Sequence, residues 1–395
     1  MSRLWDKGEP LDKRVLRYTA GEDHKLDARL VRYDVRASIA HAEMLHEQQY
    51  LSDDDCQSIV AGLSTLLEQF EAGEWSITLE DEDAHTALEN RLTALIGDAG
   101  ARVHLGRSRN DQVLVALRLY LLDASDAVSA SVEGLINSLH GLAGKQGDIE
   151  LPGTTHMQHA MPSTVALWCG AYEEAFADGI AGLLASRRRA AKNPLGSAAG
   201  YGTPGLSINR EATTEKLGFS ETQSPVTAVQ LSRGKAESAL LFELSLVMQD
   251  LGRLASDLML YYTQEYRYID LPSTVTTGSS IMPQKRNPDV LELVRGAAGT
   301  VLACLNECMM ITAKLPSGFQ RDLQRIKPPL FRAIDLTIDS VDVMAHLVSG
   351  VTFRPDQIRM SDELYATEKA YELVTKEGIP FREAYRRIAK RYARQ

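Results

Sequence analysis

The sequence predicts a nearly all-α chain in three parts, built around a central bundle of very long helices. Three observations predict it. The 395-residue chain has no proline between Pro10 and Pro152, between Pro225 and Pro272, or between Pro288 and Pro316. Proline interrupts helix interiors, so such stretches, rich in Ala, Leu and Glu, read as helices. Apolar residues recur at three- and four-residue spacing, as in Leu240, Leu244, Val247, Leu251, Leu254 and Leu258, the period of a helix with one buried face. Strand signals are sparse.

In chain order, an N-terminal helical domain (1–105) holds shorter helices near 29–49, 53–71 and 82–97. The central domain (106–350) carries three long candidates: Ser108 to Lys145, residues 226–265 as one continuous helix, and Pro288 to Lys314. At 1.5 Å per residue, 226–265 alone would span roughly 60 Å, wider than an ordinary domain. Helices of that length hide their apolar faces in an extended bundle, often with helices from other subunits. A small C-terminal helical domain (351–395) follows, with helices near 361–376 and 380–393 joined through Gly378-Ile379-Pro380. Between the helices, 100–111, 151–163, 193–205, 270–288 and 314–329 are rich in Gly, Ser, Thr and Pro. Those loops are where the chemistry is expected.

Composition narrows the function. Hydrophobic content of 44% and charged content of 24% are ordinary for a globular protein. A net charge of −10 argues against a nucleic-acid surface, and any anionic ligand must be held by locally placed cations. The four cysteines, Cys56, Cys169, Cys304 and Cys308, form no CxxC pair. Cys304 and Cys308, one helical turn apart, fit two buried thiols and fall short of a metal site. The N-terminal MSRLWDKGEP has no apolar leader core, and no apolar run approaches a membrane span. A cytoplasmic protein with neither membrane nor nucleic acid as partner is the expectation.

The most informative segment runs from Gly278 to Val290, reading GSSIMPQKRNPDV. It joins a small-residue hinge, two hydroxyls, a stop at Pro283 and adjacent cations at Lys285 and Arg286. Asn287 and Pro288 read as N-cap and first-turn proline of a new helix. Such a loop can swing, present a hydroxyl, and set a cation against an anion. A second cluster, Gly106 to Gln112, offers the forked donors of Arg107 and Arg109 beside Asn110, with Ser108 also readable as a plain helix cap. In Thr154 to Thr164, just before another helix, His156 or His159 could titrate near neutrality. Leu315 to Lys327 is polar with no obvious packing role, and Glu82-Asp-Ala-His85 with Glu89 reads equally as a helix cap.

Taken together in one order, SRNDQ at 108–112, TTHMQHAMP at 154–162, NPLGSAAGYGT at 193–203 and GSSIMPQKRNPD at 278–289 resemble the argininosuccinate lyases of the fumarase/aspartase superfamily. The resemblance extends from roughly Leu26 to the C-terminal helix. It implies the three-domain superfamily fold, a homotetramer whose long helices form the core and whose active sites each draw on three subunits, and no metal or organic cofactor. It implies cleavage of argininosuccinate to arginine and fumarate by base-catalysed elimination. By resemblance, Ser279 is the base, His156 the acid, Glu292 its orienting carboxylate, and Lys285 with Asn287 the stabilisers of the dianion. Arg109, Asn110, Thr155, Gln324 and Lys327 are implied in substrate binding, as is Phe319, which stands where the family usually has tyrosine. The segment Tyr18 to His24 lacks the family's Asn-x-Ser pattern, so no contact is carried over there. Adenylosuccinate lyase and a non-catalytic, crystallin-like homologue are the competing readings.

Overall fold

The computed structural model describes residues 12–392. The N-terminal leader reading and the last residue of the predicted 380–393 helix lie outside them. The chain forms two compact units: Met1–Ala127, Gly182–Leu244 and Val301–Asp335 make the first, and Val128–Ala181, Ser245–Thr300 and Leu336–Gln395 the second.

In the first unit, helices Val31–Glu47, Asp53–Glu71 and Ala84–Ile96 stand close to their predicted spans. Their starts are written in side chains. Ser52 accepts from the Asp55 N–H, with Asp53, Asp54 and Asp55 filling the positive first turn, and Asp83 accepts from the Thr86 N–H. The helices bury one core that includes Val35, Leu45, Ile59, Leu63, Leu88 and Leu92. At Gly100 a Cβ would lie 2.8 Å from the Thr93 backbone, so only glycine lets the following turn pack there.

The long helices run Arg109–Gln146, Val165–Ala190, Lys235–Tyr262, Asp289–Thr312 and Lys327–Ser349. The predicted continuous helix over 226–265 is corrected: it breaks into Val226–Leu231 and Lys235–Tyr262. Gly234 makes the break, with φ at 84° and no room for a Cβ, which would meet Thr312 Cγ2 at 2.5 Å. A second correction concerns Asp289–Thr312. By length and composition it is apolar enough to cross a membrane, with a mean hydropathy of 1.2 over its most apolar window. Only 33% of that window is buried. Leu291, Val294, Val301, Cys304 and Cys308 form its buried stripe, while Leu293, Leu302, Met309 and Met310 stay exposed.

In the second unit, the stretch read as a loop before a helix is a β-hairpin, Glu150–Thr155 against Gln158–Thr164. Its two-residue tip, His156-Met157, has φ of 54° and 59°, both left-handed as a type I′ turn requires. A second, shorter ladder pairs Thr277–Gly278 with Arg286–Asn287. Near the C-terminus, Ala366–Glu377 and Phe381–Tyr392 pack around Ala370, Ala384 and Ile388. The first turn of the predicted 361–376 helix is a 3-10 turn, Asp362–Tyr365.

Candidate active site

The predicted site residues fall into two sets. Arg109, Asn110, Phe319, Gln324 and Lys327 all line one cavity of about 150 Å³ in the first unit. Thr155, His156, Ser279, Lys285, Asn287 and Glu292 belong to the second unit.

The first cavity is built from the start of the 109–146 helix. Ser108 caps it, accepting from the Asn110 N–H at 3.2 Å. Asp111, fully buried, accepts from the N–H groups of Ser108, Gly196 and Ala198. That carboxylate ties the SRNDQ segment to the 193–203 loop; burial nonetheless pushes it up to about 6. Arg109 pairs with Asp83 and, at 3.5 Å, with Glu82. Burial opposes ionisation of Asp83, but His85 and Arg109 overcome it and hold the carboxyl at about 2. Arg107, by contrast, is buried and donates to Ser38 Oγ at 2.8 Å, a packing role.

Lys327 opens the 327–349 helix, within the stretch read as a loop. Its ammonium lies 2.6 Å from Asp27 Oδ1 and 2.9 Å from Asp23 Oδ2. Burial works against its charge, but the two aspartates raise its pKa. Asp23 itself is pushed up to about 6 by burial, partly offset by Lys327. Gln324 donates to the carbonyls of Thr19 and Ala20 at 2.9 and 3.1 Å, and the Phe319 ring lies 5.6 Å from the Arg233 guanidinium carbon.

Asp23, Asp27 and Arg233 also line the cavity and were missed as ligand-facing residues, whereas Asp83 and Arg321, which line it too, lie in the 82–85 and 315–327 segments singled out above. Four cations (Arg109, Arg233, Arg321, Lys327) meet four acids (Asp23, Asp27, Glu82, Asp83) in it. A wall so mixed suits a small ligand carrying both carboxylates and cationic nitrogen.

In the second unit, Thr155 ends the first hairpin strand and His156 sits at the exposed tip. His159 lies exposed on the returning strand. The 277–288 loop is closed at its base by the Gly278–Arg286 pair, so Ser279 starts the arm and Lys285 ends it. Ser279 Oγ, half-buried, accepts from the N–H groups of Ile281 and Met282 at 3.4 and 3.2 Å. Lys285 and Glu292 are exposed and, with half-buried Asn287, border a recess of about 660 Å³ that Arg267 and Arg354 also line. Asn287 does not cap the next helix as predicted. It pairs in the short ladder, and its amide donates to the Gly278 carbonyl at 3.5 Å.

The Lyase family profile matches residues 10–303. The argininosuccinate lyase of Sorangium cellulosum is 44% identical over 99% of this chain and 91% of its own length. That of Thermotoga neapolitana is 39% identical over 100% and 99%. Among solved structures, EDDS lyase with formate superposes with a TM-score of 0.80 at 25% identity, covering 96% of this chain and 76% of that one. A class II fumarase from Schistosoma mansoni shares the fold, with a TM-score of 0.77 at 18% identity over 96% and 93%. The cavity residues and the GSSIMPQKRNP arm therefore belong to a lyase, and the chain is a member of the argininosuccinate lyase family within the fumarase/aspartase superfamily.

Proposed function

We propose that this lyase splits argininosuccinate into L-arginine and fumarate, the last step of arginine biosynthesis. The carrying observation is identity of 36–44% to argininosuccinate lyases along essentially the whole chain. The reaction removes a proton from a carbon beside a carboxylate, which piles charge onto an existing anion. Stabilising that aci-carboxylate dianion is the main electrostatic task. Lys285, Asn287 and N–H groups of the 279–287 arm are the donors for it. Ser279 is the base. Its Oγ already faces two backbone N–H groups, and donors aimed at a charged form favour that form. His156 protonates the departing guanidino nitrogen, and Glu292 orients His156.

His156 makes no ion pair with Glu292 in the single chain, and both are exposed. That fits sites completed by other subunits of a homotetramer. Leu167, Leu231, Phe242, Leu293 and Met310 on helical elements are exposed, which supports helix-to-helix assembly. The free, buried cysteines fit a reducing cytoplasm.

A substrate panel tests the reading. Fumarate appearing, by ultraviolet absorbance, from argininosuccinate and not from adenylosuccinate is the expected result. The reverse preference would reassign the chain to adenylosuccinate cleavage. Silence on both would leave the non-catalytic homologue.

A further inference from the structure

We propose that Arg233 is a further substrate-anchoring residue, its guanidinium taking a carboxylate of the substrate in the first unit's cavity. The inference rests on the reading above for the identity of that substrate.

Arg233 sits in the turn that interrupts the predicted 226–265 helix, next to Gly234. It lines the same cavity as Arg109, Asn110, Gln324 and Lys327. Three of the four cations there are spoken for. Lys327 holds Asp23 and Asp27, Arg109 holds Asp83 and Glu82, and Arg321 reaches Glu82 at 3.8 Å and the Thr19 carbonyl at 2.9 Å. Arg233 differs. It is only 8% exposed, yet its Nε and Nη1 are buried without a hydrogen-bond partner. Buried Glu237 acts on it electrostatically but makes no hydrogen bond or ion pair with it among the described residues.

Taking a guanidinium out of water without a carboxylate is costly, and here the three N–H donors on Nε and Nη1 have lost their hydration and gained no acceptor. The neighbouring Phe319 ring offers a face to stack on at 5.6 Å but no acceptor. The acids of the cavity are already engaged by the other cations. Glu237, whose Oε1 is also buried without a hydrogen-bond partner, is not part of the cavity lining, and Asp23 acts on Arg233 only at a distance, so within the cavity the open acceptor position is left to a bound ligand. A substrate with three carboxylates supplies one, and a forked guanidinium is the donor best shaped to hold it. Phe319, in the place of the usual tyrosine, then works as the platform that orients Arg233.

The test uses the full-length enzyme with Arg233→Met and Arg233→Lys. Steady-state kinetics on argininosuccinate are expected to show KM raised about tenfold to hundredfold in Arg233→Met, the size of a charge-assisted contact. Turnover should stay within about threefold, the pattern of uniform binding, and Arg233→Lys should fall between. The unliganded melting temperature should hold or rise, since an uncompensated buried charge has been removed. The rise in melting temperature that L-arginine or fumarate causes in the wild type should be lost in Arg233→Met. Unchanged KM in an enzyme that cleaves argininosuccinate sinks the Arg233 assignment alone. So does a lower melting temperature in both variants with the ligand response intact, or a wild type that responds to neither compound. A wild type inert to argininosuccinate whose thermal response still depends on Arg233 sinks the substrate reading instead.

Discussion

Replacing Lys327 with methionine preserves much of the side-chain volume and removes the ammonium that reaches Asp27 at 2.6 Å and Asp23 at 2.9 Å. The side chains of Lys327, Asp27 and Asp23 are 5%, 0% and 14% exposed, so water cannot replace the lost partner. Breaking a buried pair by deleting one member costs roughly 3–5 kcal/mol, chiefly the penalty of a stranded charge. Asp27 also accepts from the Ala84 N–H at 3.4 Å, so the loss should loosen the start of the 84–96 helix. The effect should depend on pH. Asp23 already has its folded pKa raised to about 6 by burial, with Lys327 pulling it down. A carboxyl raised in the folded state costs nothing below its unfolded pKa and its full penalty above the folded one. Removing Lys327 lifts the folded pKa further, so Lys327→Met should lose more stability near pH 8 than near pH 5.5. Urea unfolding of wild type, Lys327→Met and Lys327→Met with Asp27→Leu at both pH values measures this. The double variant should recover much of the loss. A single-variant loss below about 1 kcal/mol at the higher pH, the range of exposed pairs, would refute the buried-triad reasoning.

Four further outcomes are expected. Ser279→Ala should abolish fumarate release while leaving the unfolding midpoint nearly unchanged, because the hydroxyl lies on a loop outside the core; substantial activity would remove Ser279 from the base role. His156→Asn should lose roughly two to four orders of magnitude in turnover, and a wild-type rate would shift attention to His159. Co-refolding a Ser279→Ala chain with a His156→Asn chain should restore part of the activity, and no recovery would count against sites shared between subunits. Phe319→Tyr should lower KM modestly at unchanged turnover, since one neutral hydrogen bond is worth about 0.5–1.5 kcal/mol; an unchanged KM would mean the ring does not face substrate.

How much of this was legible in the sequence differs by element. The 108–145 helix was readable to within a residue because its period and lack of proline agree over many turns, and the structure runs Arg109–Gln146. The break at Gly234 was hidden because apolar periodicity resumes on both sides of it, and the only signal was the glycine itself. The Glu150–Thr164 hairpin was invisible for another reason. Its tip is His156-Met157, with neither Asn nor Gly to announce left-handed backbone, and Pro152 and Pro162 within its strands weaken the strand pattern. Asn287 follows the same logic: a good capping residue drawn away by a cross-ladder partner. Among site residues, those on quoted motifs were found. Asp23, Asp27 and Arg233 were not, because their role comes from three-dimensional neighbours on other segments of the chain, 300 positions away in the case of Lys327 and Asp27. Asp83 shows how two readings can both hold: it caps its helix through Thr86 and faces Arg109 in the cavity.

The central claim is the reaction itself, and mass balance measures it most directly. Purified protein incubated with argininosuccinate, with both products quantified by chromatography, should release L-arginine and fumarate in equal amounts as substrate disappears, and Ser279→Ala should release neither. Fumarate without arginine, or argininosuccinate left unconsumed by a folded wild-type enzyme, would contradict the account.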